Sequence, residues 1–185
     1  MLRSPASRRA MQPAEKGKKA SLHMHLRCRP AKDQDIAVIC GFPRNATELF
    51  YMFPKATFPL TPGQLSEAIA SRSDSTVAEY DGKAAAFANF HQWETGGCCA
   101  IGNVAVAPAV RGQGVGRYLI QQMIKLAVSR HRATEVRISC FNANVIGLLL
   151  YAKLGFVPFA LEERRDEAGR RAALIHFRLP LREEL

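Results

Sequence analysis

A glycine-rich loop that follows an apolar stretch is the first feature of the sequence suited to chemistry. The stretch Asn103–Val106 is typical of a buried strand, and Pro108 should end it because proline cannot donate to a strand ladder. Gly112, Gly114 and Gly116 then alternate with side chains, so a ligand can approach their backbone N–H groups closely. From Gly114 onward apolar residues recur at helical spacing. A helix that begins at such a loop favours a phosphate group at its N-terminus.

Two nucleotide-binding motifs can be excluded for this loop. A dinucleotide fingerprint needs a glycine where the chain has Arg117, and a P-loop needs a Gly-Lys-Ser/Thr run that the loop lacks. What remains is the pattern Arg111-x-x-Gly114-x-Gly116 between a strand and a helix. Taken alone, the loop also leaves open a glycine-rich turn that binds nothing.

A second group of residues lies on a helix predicted over Val145–Leu154. Asn144, the expected N-cap, Gly147 and Tyr151 are spaced by three and four residues and therefore share one helix face. A tyrosine among leucines is more often a packed side chain than a catalyst. This tyrosine matters because its helix follows the glycine loop across one strand, so that the two helices can flank one cleft.

The two motifs, Arg111–Gly116 and Asn144–Phe156, resemble the central motifs of the GCN5-related N-acetyltransferases. The order of the predicted elements agrees with that family, and the resemblance covers about residues 22–179. It implies the family fold and an acetyl-CoA co-substrate. It also implies transfer of the acetyl group to a primary amine, on an acceptor that is either a small molecule or a protein or peptide.

The same resemblance implies roles for individual residues. Tyr151 would protonate the departing CoA thiolate, and the backbone of Val104, Ala105 and Val106 would bind the pantetheine and the acetyl carbonyl. The family usually has alanine at the position of Gly147, so glycine there should loosen the helix packing slightly. The other implied cofactor-binding residues are Arg111, Gly112, Gln113, Gly114, Val115, Gly116, Arg117, Asn144, Gly147 and Lys153.

The general base is the point at which the chain departs from the family pattern. Some members place a glutamate early on the strand before the loop, but residues 100–102 are Ala, Ile and Gly. An alkyl ammonium has a pKa near 10.4, so its deprotonation at pH 7 costs about 4–5 kcal/mol. His91 is a candidate base because of its intrinsic pKa, although a lone histidine on a strand is more often a surface or packing residue. Glu79, Glu94 or a water chain are the other candidates.

Hydrophobic periodicity and turn residues predict the elements that position these motifs. Thr61 should cap a helix that starts at Pro62, and Asp81-Gly82 should form a hairpin turn. The order predicts an α/β (α+β) fold with a mixed, mostly antiparallel central sheet flanked by helices. The predicted strands are Leu22–Arg29, Ser75–Tyr80, Ala84–Trp93, Cys98–Val106, Glu135–Phe141, Phe156–Arg164 and Ala172–Leu179, and the other predicted helices are Asp35–Cys40, one from Gly114 onward, and Val145–Leu154.

The segment Phe42–Pro62 is rich in aromatic residues and is broken by four prolines, which exclude one long helix. Two interpretations stay open for it. It forms either a partly mobile wall of the acceptor pocket or ordinary core packing by a helix and a loop.

Composition limits the class of protein. The 185 residues suit one domain, expected over residues 22–185, and no apolar run is long enough to span a membrane. Five cysteines without a C-x-x-C pair favour a reducing, cytoplasmic location and argue against disulfides or a metal site. The number of subunits stays open, with a homodimer among the candidates.

Half of the net charge of +10 comes from residues 1–23, which hold six Lys or Arg and one Glu. Residues 1–21 should be a disordered basic tail because they bury too little apolar surface to fold. Three explanations are open for the tail. It is either translated upstream sequence with Met24 as the true start, or otherwise non-functional; or it is a transit-like presequence; or it is a flexible basic arm for nucleic acid. The first explanation is favoured, and nucleic acid is an unlikely partner since the remaining residues are only mildly basic.

The sequence therefore favours an acetyl-CoA-dependent N-acetyltransferase that acts by direct attack of the amine, since no cysteine is placed well for a covalent intermediate. A non-catalytic acyl-CoA-binding or sensing module of the same fold is the alternative.

Overall fold

The computed structural model describes residues 25–181, so the predicted tail at residues 1–21 lies outside the described part of the chain. The strands are β1 (Leu26–Pro30), β2 (Ser73–Tyr80), β3 (Lys83–Trp93), β4 (Cys98–Val106), β5 (Glu135–Phe141), β6 (Val157–Arg165) and β7 (Arg171–Pro180). The α-helices are α1 (Asp33–Cys40), α2 (Ala46–Met52), α3 (Pro62–Ala70), α4 (Val115–His131) and α5 (Val145–Lys153). In this part of the chain no helix is long and apolar enough to cross a membrane.

The strands form one sheet in the order β1-β2-β3-β4-β5-β7-β6. β4 and β5 pair in parallel, and the other neighbours in the sheet pair antiparallel. The predicted mixed, mostly antiparallel sheet is therefore confirmed. The parallel ladder ends at the pair Ile101–Ile138, although both strands continue beyond it. The two strands diverge from that point and open a gap in the middle of the sheet.

Helices cover the two faces of the sheet with separate apolar cores. Ala86 and Ala88 of β3 belong to the core that α4 covers, whereas Phe87 belongs to the core beneath α1, α2 and α3. This alternation is what a strand buried on both faces requires. Leu119 and Met123 anchor α4 in the first core, where both side chains are fully buried.

The capping and turn residues predicted from the sequence adopt the expected local structure. Thr61 accepts a hydrogen bond from the backbone N–H of Gln64, and Asn144 accepts one from the N–H of Gly147, so both predicted N-caps are present. Asp81 and Gly82 adopt the positive φ values of 48° and 77° that a tight two-residue hairpin turn needs.

The first strand and first helix differ from their predicted ends. The described part of β1 starts at Leu26, and Leu22–Met24 of the predicted strand lie outside the described residues. The strand includes Pro30, which pairs with Thr76 as an edge position that needs no N–H donor. The helix starts at Asp33 because the carboxylate of Asp35 accepts the backbone N–H of Lys32 and stabilises the first turn.

The aromatic segment Phe42–Pro62 provides both core packing and part of a cleft wall, and the mobility of that wall stays a prediction. α2 occupies its middle, and Phe42, Leu49 and Leu60 are buried in the core beneath α1–α3. Tyr51 and Phe53 instead line the wall of a cleft. The segment therefore combines core packing with wall formation.

An ion-pair network fastens β1 to its neighbours. The guanidinium of Arg29 bonds the carboxylate of Asp35 on α1 at 2.6 and 2.8 Å and that of Glu79 on β2 at 2.6 Å. The Arg29 side chain is only 13% exposed, so these charges have little access to water. Hydrogen bonding to Arg29 lowers the pKa of Asp35 and of Glu79 below their ordinary values.

Replacing Arg29 with Met should lower the free energy of unfolding by about 3–5 kcal/mol, because it leaves a buried carboxylate without its partner. Arg27→Met is the matched control, since Arg27 bonds the same Glu79 from a side chain that is 73% exposed, and it should cost less than about 1 kcal/mol. Urea denaturation at pH 7 measures both values. Equal losses in the two variants would contradict the role of Arg29.

The pH dependence of the free energy of unfolding, compared between wild type and Arg29→Met, tests the same ion pair. The pKa of Asp35 in the folded protein lies below its ordinary value of 3.8. The ionised Asp35 therefore stabilises the fold at a pH above its ordinary pKa, and this stabilisation is lost as the pH falls through the folded pKa. The difference between wild type and Arg29→Met should therefore narrow below about pH 4.

Candidate active site

A cleft of about 710 Å³ opens where β4 and β5 diverge. Val104 of β4, Ile138 of β5 and Tyr151 of α5 are among the residues that line it. Residues of α2, α3 and the loop between them form one wall, and β3 and β7 contribute His91 and His176. The cleft thus brings Val104, Tyr151 and His91 together, three residues that the sequence identified separately.

A β-bulge lies in β4 at the mouth of this gap. Phe87 pairs with Ala105 and Asn89 pairs with Gly102, so two residues of β4 oppose one residue of β3. Asn103, the first of those two residues, has a φ of 52°. Its side-chain N–H group donates to the carbonyl of Met52 at 3.4 Å, whereas its buried Oδ1 has no partner among the described residues. The bulge turns β4 away from β5 and leaves a buried acceptor beside the cleft.

The glycine loop connects the end of β4 to the first turn of α4. Gly112 and Gly114 have φ values of 77° and 84°, and nothing lies within 4 Å of the position that a Cβ would occupy on either. The loop is therefore an open backbone surface that side chains would obstruct. Val115 is buried and anchors the helix start, while Gln113 donates from its side chain to the carbonyl of Ala109 at 3.2 Å.

Gly116 lets the start of α4 approach β4. A Cβ at this position would lie 3.2 Å from Cγ2 of Val106 and 3.7 Å from Cδ2 of Leu150 on α5. The loop, β4 and α5 therefore meet at one corner. Arg117 is exposed next to it.

The side chain of Arg111 bonds the protein rather than the open loop surface. Its two terminal nitrogens each lie 2.9 Å from an oxygen of Glu48 on α2, and it also donates to the carbonyls of Val106 and Phe42. Hydrogen bonding to Arg111 lowers the pKa of Glu48 to about 2. Arg111 thus fastens the loop to α2, and its contact with a pyrophosphate stays a prediction.

Tyr151 lies on the inner face of α5 with only 5% of its surface exposed. Its ring packs against those of Phe156 and Phe177, each with centroids 6.2 Å away. Burial raises the pKa of Tyr151 well above its ordinary value, so the phenol keeps its proton at neutral pH. The cleft is therefore lined at this point by a buried phenol that carries its proton.

The remaining predicted residues of α5 lie around this tyrosine. Asn144 uses its side-chain oxygen as the helix cap, at 3.1 Å from the N–H of Gly147, and Lys153 is exposed in the last turn. A Cβ on Gly147 would lie 2.8 Å from Sγ of Cys140 and 2.9 Å from the Asn144 amide. The expectation that glycine loosens the packing here is wrong, because Cys140 and Asn144 fill the space that a Cβ would take.

His91 lies across the cleft on β3. A Cβ on Gly102 would approach Cδ2 of its ring at 2.9 Å, so the ring covers β4 at the glycine where the strands diverge. Desolvation of the ring lowers the pKa of His91, and the nearby positive charge of Arg72 adds to this effect, although part of the residue is exposed. Glu79 and Glu94, the other candidate bases, do not line the cleft.

A polar chain on the opposite wall was not identified from the sequence. Oγ of Ser139 on β5 lies 2.8 Å from Nδ1 of His176 on β7, and Nε2 of His176 lies 3.3 Å from Oε2 of Glu162 on β6. Ser139 and His176 both line the cleft. In the sequence, polar residues alternate with apolar ones on β5 and β7. This alternation shows which residues share one face of each strand, but not which residues pair across the strands.

The comparison with protein families agrees with this geometry. The family model for the acetyltransferase (GNAT) family matches residues 41–156. The match covers more than half of the chain and includes His91, the glycine loop and Tyr151. The chain therefore belongs to the GNAT acetyltransferase family.

Solved structures share the fold at low sequence identity. A structure assigned as a phosphinothricin N-acetyltransferase is 24% identical with a TM-score of 0.70, over 86% of this chain and 100% of that one. The Salmonella typhimurium protein yncA, solved with acetyl-CoA, is 20% identical with a TM-score of 0.65, over 87% and 96%. Spermidine N-acetyltransferase from Vibrio cholerae, solved with CoA and spermine, is 16% identical with a TM-score of 0.71, over 84% and 95%. No curated protein sequence gives a significant match.

Proposed function

We propose that the protein transfers an acetyl group from acetyl-CoA to a primary amine by direct attack of the amine on the thioester. The observation that carries this proposal is the cleft at the divergence of β4 and β5. It contains a buried, protonated phenol on Tyr151 and the imidazole of His91, and the strand β4 and the helix α5 that line it meet the glycine loop at Gly116. The structural relatives solved with acetyl-CoA or CoA support the same co-substrate.

The residues near the gap fit a CoA thioester. The open backbone at Gly112 and Gly114 suits a pyrophosphate, since nothing lies within 4 Å of where a Cβ would sit on either glycine and a helix N-terminus follows. The orphaned Oδ1 of Asn103 marks a buried polar surface that a hydrogen-bonding ligand would satisfy. The residues proposed to hold the co-substrate are Val104, Ala105, Val106, Arg111, Gly112, Gln113, Gly114, Val115, Gly116, Arg117, Asn144, Gly147, Tyr151 and Lys153.

Two side chains handle the protons in this proposal. His91 accepts the proton of the acceptor amine, because its lowered pKa keeps the ring neutral at neutral pH. Tyr151 donates its proton to the sulfur as the thiolate leaves. The sulfur becomes basic only as the C–S bond breaks and negative charge develops on it, and the phenolate then regains a proton from solvent.

A non-catalytic acyl-CoA-binding module is the second candidate function. The specific observation in its favour is that residues 100–102 of β4 provide no carboxylate base. Calorimetry with acetyl-CoA, followed by a free-thiol release assay over a panel of amines, separates the two functions. Turnover with any amine supports the enzyme, whereas tight binding without turnover supports the module.

Tyr151→Phe should lower kcat by about 10²–10⁴, because it removes the proton donor while keeping the ring in its apolar contacts. The affinity for acetyl-CoA in calorimetry should change little. Tyr51→Phe is the matched control, since Tyr51 lines the same cleft from α2 and should retain most of the activity. An unchanged rate in Tyr151→Phe would remove the role of general acid.

The pH dependence of kcat/KM tests the base. A base works in its neutral form, so kcat/KM should rise as His91 loses its proton, below its ordinary pKa of 6.5 because that pKa is lowered. His91→Gln should remove this rise from the pH profile. It should leave the rise in kcat/KM at higher pH that comes from deprotonation of the amine substrate. A limb that persists in His91→Gln and disappears in His176→Gln would assign the base to His176 instead.

A further inference from the structure

Arg72, which follows α3, differs from the other half-buried arginines in its partners. Arg29 and Arg111 each bond a carboxylate, whereas no carboxylate within residues 25–181 lies at ion-pair distance from Arg72. Its guanidinium instead donates to the side-chain oxygen of Asn89 at 3.0 Å and lies 5.7 Å from the centroid of the Phe53 ring. A cation held by one neutral acceptor and one aromatic ring keeps several N–H donors for an anion.

The guanidinium of Arg72 also lies at the reaction end of the cleft. A Cβ on Gly102 would lie 2.7 Å from one of its terminal nitrogens and 2.9 Å from the His91 ring. Arg72 and His91 are therefore neighbours above the point where β4 and β5 diverge. A ligand atom bound to Arg72 would lie a few bonds from an amine that faces His91.

The charged side chains that line the cleft also favour an anionic ligand. Three basic side chains, Lys55, Arg72 and Arg164, line it together with one carboxylate, Glu67. Arg164 pairs with Glu162 at 3.0 Å, which leaves Lys55 and Arg72 as the cations available to a ligand. A polyamine would place further ammonium groups against these cations and be repelled.

We infer, on the basis of the acetyl transfer proposed above, that the acceptor is a small amine with an anionic group near the amine, such as a free amino acid. Arg72 binds that anionic group and thereby orients the amine towards His91 and the gap between β4 and β5. A bidentate pair between guanidinium and carboxylate gives both attraction and direction. Arg72 is in this view a specificity-determining residue for the acceptor.

Free-thiol release with acetyl-CoA over matched sets of acceptors tests the inference. Each set contains a free amino acid, its carboxamide and its decarboxylated amine, for instance phenylalanine, phenylalaninamide and phenethylamine, with equivalent sets for leucine and methionine. The carboxamide has a less basic amine than the amino acid, and the decarboxylated amine has a more basic one. A preference over both therefore reports the carboxylate rather than the basicity of the amine.

The best amino acid should exceed both of its matched compounds in kcat/KM by at least about tenfold. Arg72→Gln should raise KM for that amino acid at least about tenfold and remove the preference, with KM for acetyl-CoA little changed. Arg72→Lys keeps the charge and should retain a reduced preference. Arg178→Gln is the control, since Arg178 lies at the same 5.7 Å from a ring, that of Phe159, but does not line the cleft.

The inference is overturned if the carboxamide or the decarboxylated amine reacts as well as the amino acid. It is also overturned if Arg72→Gln affects all three compounds equally. Thiol release with neutral or cationic amines but with no amino acid rejects this inference alone. Binding of acetyl-CoA without thiol release on any amine rejects the proposed function itself.

Discussion

The short parallel pairing of β4 and β5 is the constraint on which the site depends. Four residue pairs join the strands, and the ladder stops at Ile101–Ile138 while both strands continue. Parallel neighbours need a long crossover, and α4 provides it. The bulge at Asn103 then turns β4 away, so the sheet has an opening in its middle instead of a further ladder. Strand edges that lack a protein partner on that side face the opening, and a ligand with amide and carbonyl groups matches them.

The arginines around the site separate into two kinds by their partners. Arg29 and Arg111 bond carboxylates and connect elements that are distant in sequence. These bonds stabilise the frame of the molecule. Arg72 has a polar amide and an aromatic ring instead, in a cleft. An arginine paired with a carboxylate therefore stabilises the structure, whereas one without a carboxylate keeps N–H donors that a ligand could use.

Local signals predicted much of the fold and part of the site. β4 and β5 were predicted with their observed bounds, and the caps at Thr61 and Asn144 depend on residues only three positions away. The bonds of Arg111 to Glu48 span 63 residues, and Ser139 meets His176 across 37. No local pattern encodes such contacts, because strand order and register decide them.

The bond between Arg111 and Glu48 connects the glycine loop to the wall of the cleft. One end lies in the glycine loop, and the other lies on the helix that carries Tyr51 and Met52 into the cleft wall. Movement of that helix has to be transmitted to the loop or break two charged hydrogen bonds. Under the proposed function, phosphate binding at the loop and the shape of the acceptor pocket would therefore be coupled through the carboxylate of Glu48.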